Sequence, residues 1–428
     1  MKNELKNQFN LKEAFGFLLK WILVSLFVGS LSGSASAWFL IFLKWAGEYR
    51  NDHIWLITLL PLAGFLIALS YKYAGKDVQK GNNLLIEEIQ KPNKLLPIIM
   101  APLVLIGTVV THLFGGSAGR EGTAVQMGGA IADQLSKYFK FSDFERKLLI
   151  MTGVSAGFAS VFGTPWAGAI FALEVVFIGK IKSEAIIPTL LSAFVANFVC
   201  DLWPIAHTHY QITNVPLLEI KSISLVVLAS VLFGFAAIGF STGMHWLSSV
   251  FKKYIKNMLF RPVLGGVIVA GLGYLLGYEY LGLGVSTIVE SFTSQQGGEV
   301  FIIKLLLTII TLSAGFKGGE VTPLFFVGAT LGSALSLLLP LPVSLLAGVG
   351  FVAVFSGATN APLACAIMGL ELFGFEAGVY IFIGCFVAFY TSGNTGIYSS
   401  QIIGRKKHPF LKAGVAKRLS EVMFSVSK

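Results

Sequence analysis

The sequence predicts an all-α integral membrane protein, a bundle of many tilted and broken transmembrane helices in two related halves. Hydrophobic residue types make up 55% of the 428 residues and charged types only 13%, about half of the roughly 25% usual in soluble domains. Glycine accounts for 47 residues; it lets membrane helices pack closely and also interrupts them. This composition excludes an ordinary soluble enzyme, a disordered chain, a collagen and a disulfide scaffold.

The net charge of +10 is concentrated at the two ends of the chain. Between Arg405 and Lys428 the sequence carries seven basic residues and one acid, and the first twenty residues add a smaller basic excess. Basic flanks mark the cytoplasmic side of membrane proteins, so both termini are expected in the cytoplasm. Membrane flanks explain this charge better than a nucleic-acid site does, and no nucleic-acid partner is expected.

Five segments are expected along the chain. They are a cytoplasmic amphipathic segment at 1–14, a first membrane repeat at 15–200, a polar linker at 201–222, a second membrane repeat at 223–403 and a basic cytoplasmic tail at 404–428. The first apolar stretch exceeds the ~20 residues that a span requires and should be tilted. After residue 71 the apolar pieces become short, which is tolerated where they pack inside protein or line a cavity.

The linker holds Asp201, His207 and His209, which are interpreted as ordinary loop residues rather than as a metal site. No HExxH, paired CxxC or P-loop pattern occurs in the sequence. No metal or other cofactor is therefore expected.

An internal repeat relates two pairs of segments. Residues 119–130 and 318–329 share five of twelve positions at an offset of 199, and residues 165–174 and 362–371 share six of ten at an offset of 197. Two matches in the same order at nearly one offset indicate a duplicated half. The halves can be parallel or inverted, and inverted repeats with broken helices are a transporter architecture.

The candidate chemistry begins in Gly115–Thr123, where a glycine-rich break leads into an apolar helix starting near Glu121. The first N–H groups of a helix lack internal partners and carry the positive end of the helix dipole, which makes an anion site. The Glu121 carboxylate can fill that site, and once protonated it can swing away. An intramembrane carboxylate is costly, so it marks a functional site.

The second half repeats this arrangement in Gly318–Pro323, with Glu320 as a second carboxylate and the Thr322 hydroxyl close to a helix start. The alternatives are a structural cap for Glu320 and a plain N-terminal helix residue for Thr322. Glu174 and Glu371 occupy equivalent places in the two halves, and this repetition predicts a structural task at a helix end.

Three further candidates come from the neighbouring sequence. Gly81–Leu84 precedes a helical pattern and can present amide donors at another helix start. Arg120 is first interpreted as an ion-pair partner or loop clamp beside Glu121. Tyr398, near the end of the last apolar region, would on its own be an interfacial aromatic residue.

In this order the motifs resemble those of the CLC family of anion channels and proton-coupled anion antiporters. The motifs are GNNL at 81–84, GREGT at 119–123, the paired Pro…Glu segments, GGEVTP at 318–323 and the Tyr-Ser pair at 398–399. The resemblance extends from about residue 15 to residue 404. It implies a CLC-type bundle with inverted repeats, and a homodimer with one ion pathway in each subunit.

Departures from the common family pattern point to one branch. Asn82 and Asn83 replace the usual Ser and Pro, Thr123 replaces Pro, and residues 320–322 replace the usual apolar pair and Ala. Val175 stands where the chloride antiporters usually carry a second carboxylate that transfers protons. Together these changes resemble the CLC-F branch, the fluoride/proton antiporters.

This resemblance implies export of cytoplasmic fluoride in exchange for protons across a bacterial inner membrane. It implies that Glu121 is the gating and proton-carrying glutamate and that Glu320 takes part in the proton path. The candidate anion-binding residues are Gly81, Asn82, Asn83, Gly119, Arg120, Gly122, Val321, Thr322 and Tyr398. Which asparagine of GNNL contacts the ion stays open at this point.

Two other functions compete with this one. The nearer alternative is a chloride channel or a chloride/proton exchanger of the same fold, against which Asn82 and Val175 argue. The remote alternative is a membrane-embedded enzyme that uses the buried glutamates. An enzyme would need a metal triad or a Ser/His pair, and His112 and His245 stand alone in apolar segments, so no enzymatic activity is expected.

Overall fold

The structure, a computed structural model, describes residues 11–410 and 414–423, and this part of the chain is predominantly helical. The first half contains α1 (Leu11–Asp52), α2 (Leu60–Tyr73), α3 (Asn82–Gln90), α4 (Met100–Leu113), α5 (Glu121–Asp133), α6 (Asp143–Phe162), α7 (Pro165–Glu174) and α8 (Ile186–Asp201). Short 3-10 turns cover Ile54–Leu59, Lys76–Val78, Gln134–Lys137 and Ser183–Ala185. These helices confirm the predicted all-α fold class.

The second half repeats the same succession of helices. It contains α9 (Ile220–Tyr254), α10 (Phe260–Leu276), α11 (Val285–Glu290), α12 (Gly298–Ala314), α13 (Val321–Leu335), α14 (Val343–Thr359), α15 (Pro362–Phe373) and α16 (Gly378–Thr391), followed by α17 (Leu419–Met423). The two-residue strands β1 (Phe177–Ile178) and β2 (Ile402–Ile403) pair in parallel. Helices α1–α8 therefore correspond one by one to α9–α16.

Reciprocal contacts relate the two halves by a local two-fold arrangement. Glu174, at the end of α7, accepts hydrogen bonds from the N–H groups of Leu363 and Ala364 at the start of α15, at 3.2 and 2.9 Å. Glu371 of α15 accepts the equivalent bonds at the start of α7. The predicted structural task of this pair is confirmed, because each carboxylate satisfies free donors of the opposite half.

Glycine allows the closest helix contacts, and it does so at matching places in both halves. A methyl group on Gly128 of α5 would overlap the carbonyl oxygen of Gly153 in α6. A methyl group on Gly328 of α13 would overlap the carbonyl oxygen of Gly350 in α14 in the same way. These crossings bring backbones into contact, as expected of small residues between membrane helices.

Four helical stretches are long and apolar enough to cross a membrane: Phe15–Asp52, Ile54–Tyr73, Ser183–Asp201 and Ile220–Tyr254. Other apolar helices are shorter, as the broken pattern predicted. Two segment boundaries differ from those expected from the sequence. Residues 11–14 already belong to α1 rather than to a separate amphipathic segment, and α9 begins at Ile220 rather than at 223. Residues 1–10 of that expected segment lie outside the described part.

The segment after β2 packs into the membrane unit instead of forming a separate basic tail from 404 onward. The Lys407 ammonium donates to the Phe389 carbonyl at 2.8 Å and to the Ser392 hydroxyl at 2.7 Å, at the C-terminal end of α16. Leu419 is fully buried. Cations are favourable at helix C-termini because the last carbonyls lack partners. Residues 411–413 and 424–428 of the expected tail lie outside the described part.

Candidate functional site

The starts of α5 and α13 meet at the centre of the molecule. The N–H of Gly119 donates to the carbonyl of Gly319 at 2.6 Å, and the N–H of Gly319 donates back to Gly119 at 2.7 Å. This antiparallel bridge joins the glycine-rich breaks that precede the two helices. Two positive helix ends, one from each repeat, therefore converge on one small region.

The Glu121 carboxylate occupies the junction between these two helix starts. Its Oε2 accepts hydrogen bonds from the N–H of Thr322 at 3.0 Å and from the N–H of Arg120 at 3.1 Å, and its Oε1 accepts one from the Thr322 hydroxyl. The guanidinium Nε of Arg120 lies 3.6 Å from Oε1, and only 1% of Glu121 is exposed. The carboxylate therefore lies where free amides favour an anion.

Glu320 lies on the other side of the same junction and is held differently. It is the residue before the first turn of α13, and its Oε2 is buried without a hydrogen-bond partner among the described residues. A methyl group on Gly122 would lie 3.2 Å from this oxygen and 2.8 Å from Nδ2 of Asn82. Gly122 thus leaves room between a carboxylate and an amide donor.

The two asparagines of the GNNL motif have different partners. The Oδ1 of Asn83 accepts a hydrogen bond from the N–H of Ser400 at 2.9 Å, which ties α3 to the turn that follows Tyr398. The Asn82 amide lies against Gly122, and its Oδ1 is buried without a partner in the described part of the chain. Asn83 therefore ties α3 to the backbone of Ser400, whereas no described residue ties the Asn82 side chain by a hydrogen bond.

A cavity of about 580 Å³, here named the Asn82 cavity, opens beside Glu320. Its lining includes Gly81, Asn82, Gln126, Lys317, Glu320 and Tyr398. Tyr398 is 4% exposed, which places the predicted aromatic residue in the site rather than at the membrane surface. The cavity brings together residues that lie more than 300 positions apart in the sequence.

Two other spaces lie beside Glu121 and its neighbour Arg120. A small space of about 20 Å³ is lined by Arg120, Glu121 and Thr322, together with aromatic side chains that include Tyr210 and Phe325. Arg120 also lines a larger cavity of about 500 Å³ with His207. These spaces share no lining residue with the Asn82 cavity: Glu121 and Thr322 line the small space, whereas the neighbouring Glu320 lines the Asn82 cavity.

The structure also shows two lining residues that the sequence analysis did not select. A methyl group on Gly81 would lie 3.3 Å from the amide of Gln126, and Gln126 lies one helical turn after Gly122 on α5. That spacing places both residues on one helix face, so the sequence contained a signal that Gln126 lines the same site as Gly122. Lys317 lines the cavity from the loop before α13.

The comparisons with known proteins assign the chain to a family. The family described as voltage gated chloride channel matches residues 63–393. The chain belongs to this family. A chloride/fluoride channel protein of Pseudomonas syringae pv. tomato is 48% identical over 399 residues, which cover 92% of this chain and 88% of that protein.

Solved structures agree with this assignment. The crystal structure of a CLC-type fluoride/proton antiporter has a TM-score of 0.87 and 36% sequence identity, covering 89% of this chain and 97% of that one. A slow cyanobacterial Cl⁻/H⁺ antiporter has a TM-score of 0.77 at 19% identity, covering 96% of this chain and 97% of that one, which supports the fold. The inverted-repeat bundle expected from the sequence is the fold of this family.

Proposed function

We propose that this chain is a proton-coupled antiporter that exports cytoplasmic fluoride in exchange for protons, with Glu121 as the gating and proton-carrying glutamate. The proposal rests on the position of the Glu121 carboxylate, which accepts hydrogen bonds from N–H groups at the starts of both α5 and α13. A carboxylate and a fluoride ion compete for such donors because both are anions. Protonation of Glu121 removes its charge and frees the donors for fluoride.

The donors around the junction suit a small and strongly hydrated anion. Fluoride must exchange its water for close N–H and O–H donors, because an anion without donors in a low-dielectric site carries a large desolvation cost. The Asn82 amide, the Thr322 hydroxyl and the Tyr398 hydroxyl supply such donors, and Gly81, Gly119, Gly122 and Val321 contribute the backbone around them. Arg120 adds a positive charge 3.6 Å from Glu121.

The proton pathway in this proposal uses Glu320. Val175 is buried, and its carbonyl accepts a hydrogen bond from the Gln401 side chain at 2.8 Å, so this position offers a structural contact and no titratable group. Glu320 has an unpaired oxygen on the Asn82 cavity. We infer that Glu121 and Glu320 hold the transported proton in turn.

Sidedness and assembly complete the proposal. We propose a bacterial inner-membrane protein with both termini in the cytoplasm, which the basic flanks favour, and with the Asn82 cavity facing the cytoplasm. The subunit is proposed to act in a homodimer with one pathway in each copy. Transport by the family argues against an enzyme, and fluoride and protons are the proposed substrates.

The test is transport by the purified protein in liposomes. A fluoride gradient should drive protons uphill in the opposite direction, recorded with a fluoride electrode and an internal pH dye. The Glu121→Gln variant should lose this exchange, whereas exchange at the parental rate would refute the gating role. Glu320→Ala with unchanged rate and coupling would return Glu320 to a capping role.

The same assay separates the competing functions. Fluoride flux without any proton movement would indicate a channel, and equal chloride and fluoride flux would indicate a transporter without fluoride selectivity. Fluoride-driven uphill proton movement with little chloride flux supports the proposal.

A further inference from the structure

Lys317 is a partly buried lysine whose side chain is fixed beside the Asn82 cavity. Its Nζ lies 4.0 Å from the centre of the Tyr71 ring, and both residues line the cavity. The Cβ and Cγ atoms of Lys317 lie 3.0 Å from the position of a methyl group on Gly107 of α4. The stem is therefore packed against one helix while the ammonium lies over an aromatic face of another.

Among residues 11–410 and 414–423, the ammonium of Lys317 contacts the Tyr71 ring and has no hydrogen-bond acceptor or ion pair. The Glu320 carboxylate attracts it electrostatically without direct contact. Lys304, which is fully buried, donates to the carbonyls of Tyr280 and Gly282 at 2.9 and 2.7 Å. A cation–π contact contributes roughly 0.5–2 kcal/mol, so an ammonium at this depth is best stabilised by a further anionic or polar partner.

The repeat shows that this cation belongs to one half only. At the offset of 199 residues, Lys317 corresponds to Ala118, and Arg120 corresponds to Gly319. Arg120 lines the spaces on the Glu121 side of the junction, whereas Lys317 lines the Asn82 cavity together with Glu320. Each side of the junction therefore includes a carboxylate and a cation, and the Asn82 cavity is also lined by Glu87, Lys80, Lys252 and Arg261.

We propose that Lys317 is a fluoride-binding residue, whose ammonium holds the anion in the Asn82 cavity beside Glu320 before it enters between α5 and α13. The inference rests on the proposed function and adds a site to it. An ammonium is a compact point charge with three donors, which suits a small spherical anion. Its positive charge also offsets the repulsion that Glu320 exerts on fluoride when ionised.

The test compares the fluoride dependence of transport in Lys317→Met, Lys317→Arg and the parental protein. Methionine keeps the Cβ and Cγ atoms that contact Gly107 and removes the charge. Loss of a charge-assisted hydrogen bond should raise the KM for fluoride about tenfold or more, with kcat and the fluoride-to-proton ratio close to parental values. Lys317→Arg, which keeps the charge, should retain most of the affinity.

Lys252 provides a matched control, because it lines the same cavity but is exposed. Lys252→Met should change the KM by less than about threefold, since solvent and salt screen exposed charges. A parental KM in Lys317→Met overturns the proposal, and so does a loss of kcat at unchanged KM, which would indicate a structural role.

Two outcomes separate this inference from the proposed function. If the parental protein does not exchange fluoride for protons, the proposed function fails before Lys317 is tested. If Lys317→Met does not fold, Lys317→Gln is the second neutral variant, since it keeps the same packed atoms. Failure of both neutral variants to fold makes the ammonium a structural requirement and overturns the proposal.

Discussion

Thr322 holds Glu121 in place, and Thr322→Val tests how much of the coupling depends on that contact. Valine has nearly the shape of threonine but lacks the hydroxyl that donates to Oε1, while the N–H of residue 322 remains to donate to Oε2. A hydrogen bond to a charged group contributes about 1.5–3 kcal/mol. A free-energy difference of about 1.4 kcal/mol changes an equilibrium constant tenfold. The ionised carboxylate should therefore leave its position between the two helix starts about 10 to 100 times more often.

In the proposed mechanism, departure of an unprotonated Glu121 opens the path to fluoride without moving a proton. The variant should therefore show more fluoride leak and a higher fluoride-to-proton ratio, which the reversal potential of proton movement in liposomes measures. Some loss of fluoride affinity should accompany this change, because the hydroxyl is also a proposed fluoride donor.

The repeat offers a matched control at Thr123, which is equivalent to Thr322. Its hydroxyl lies 2.7 Å from that of Thr108 and contacts no carboxylate in the described part of the chain. Thr123→Val should lower the free energy of unfolding by about 1 kcal/mol and leave the coupling ratio unchanged. A parental ratio in Thr322→Val, or an equal change in both variants, would refute the assignment of coupling to the Thr322–Glu121 contact.

Three further substitutions test other contacts. Gly122→Ala should reduce fluoride flux about tenfold or more, because the added methyl group has no room and would obstruct the gap beside Asn82 and Glu320. Parental fluoride flux in this variant would contradict the prediction. Glu174→Gln should lower the free energy of unfolding in detergent by about 1–3 kcal/mol, and more than Glu371→Gln, because Glu371 is less buried. Lys407→Met should lower the unfolding temperature but leave the fluoride-to-proton ratio unchanged, whereas a changed ratio would show that the segment after β2 acts on transport.

The sequence sufficed for features that a short stretch of chain determines. A glycine-rich break before an apolar stretch predicts a helix start, and α5 begins at Glu121 as expected. The repeat added a second start, with α13 beginning one residue after Glu320. Equivalent positions of Glu174 and Glu371 sufficed to predict a task at helix ends, because a duplicated fold repeats its local hydrogen-bonding requirements.

Features that depend on the meeting of distant segments were not predictable in the same way. Asn82 and Asn83 are adjacent and chemically identical, and only the position of Ser400 distinguishes their roles. Lys407 resembled a solvated basic flank, because its acceptors at the end of α16 become neighbours only after folding. Lys317 was visible as a lysine near the motif, but its lack of an acceptor is a property of the assembled cavity.

The proposed mechanism explains why residue 175 can be valine instead of a proton-transferring carboxylate. A proton that leaves Glu121 needs a nearby acceptor, and Glu320 meets this need at the junction where α5 and α13 start, with one oxygen free and facing the Asn82 cavity. Two ionised carboxylates so placed would repel an incoming anion. Arg120 on one side and Lys317 on the other offset that repulsion, since opposite charges at short range interact strongly where water is scarce. Val175 is buried and its carbonyl accepts a hydrogen bond from Gln401, so the proposed proton path runs through Glu320 instead of position 175.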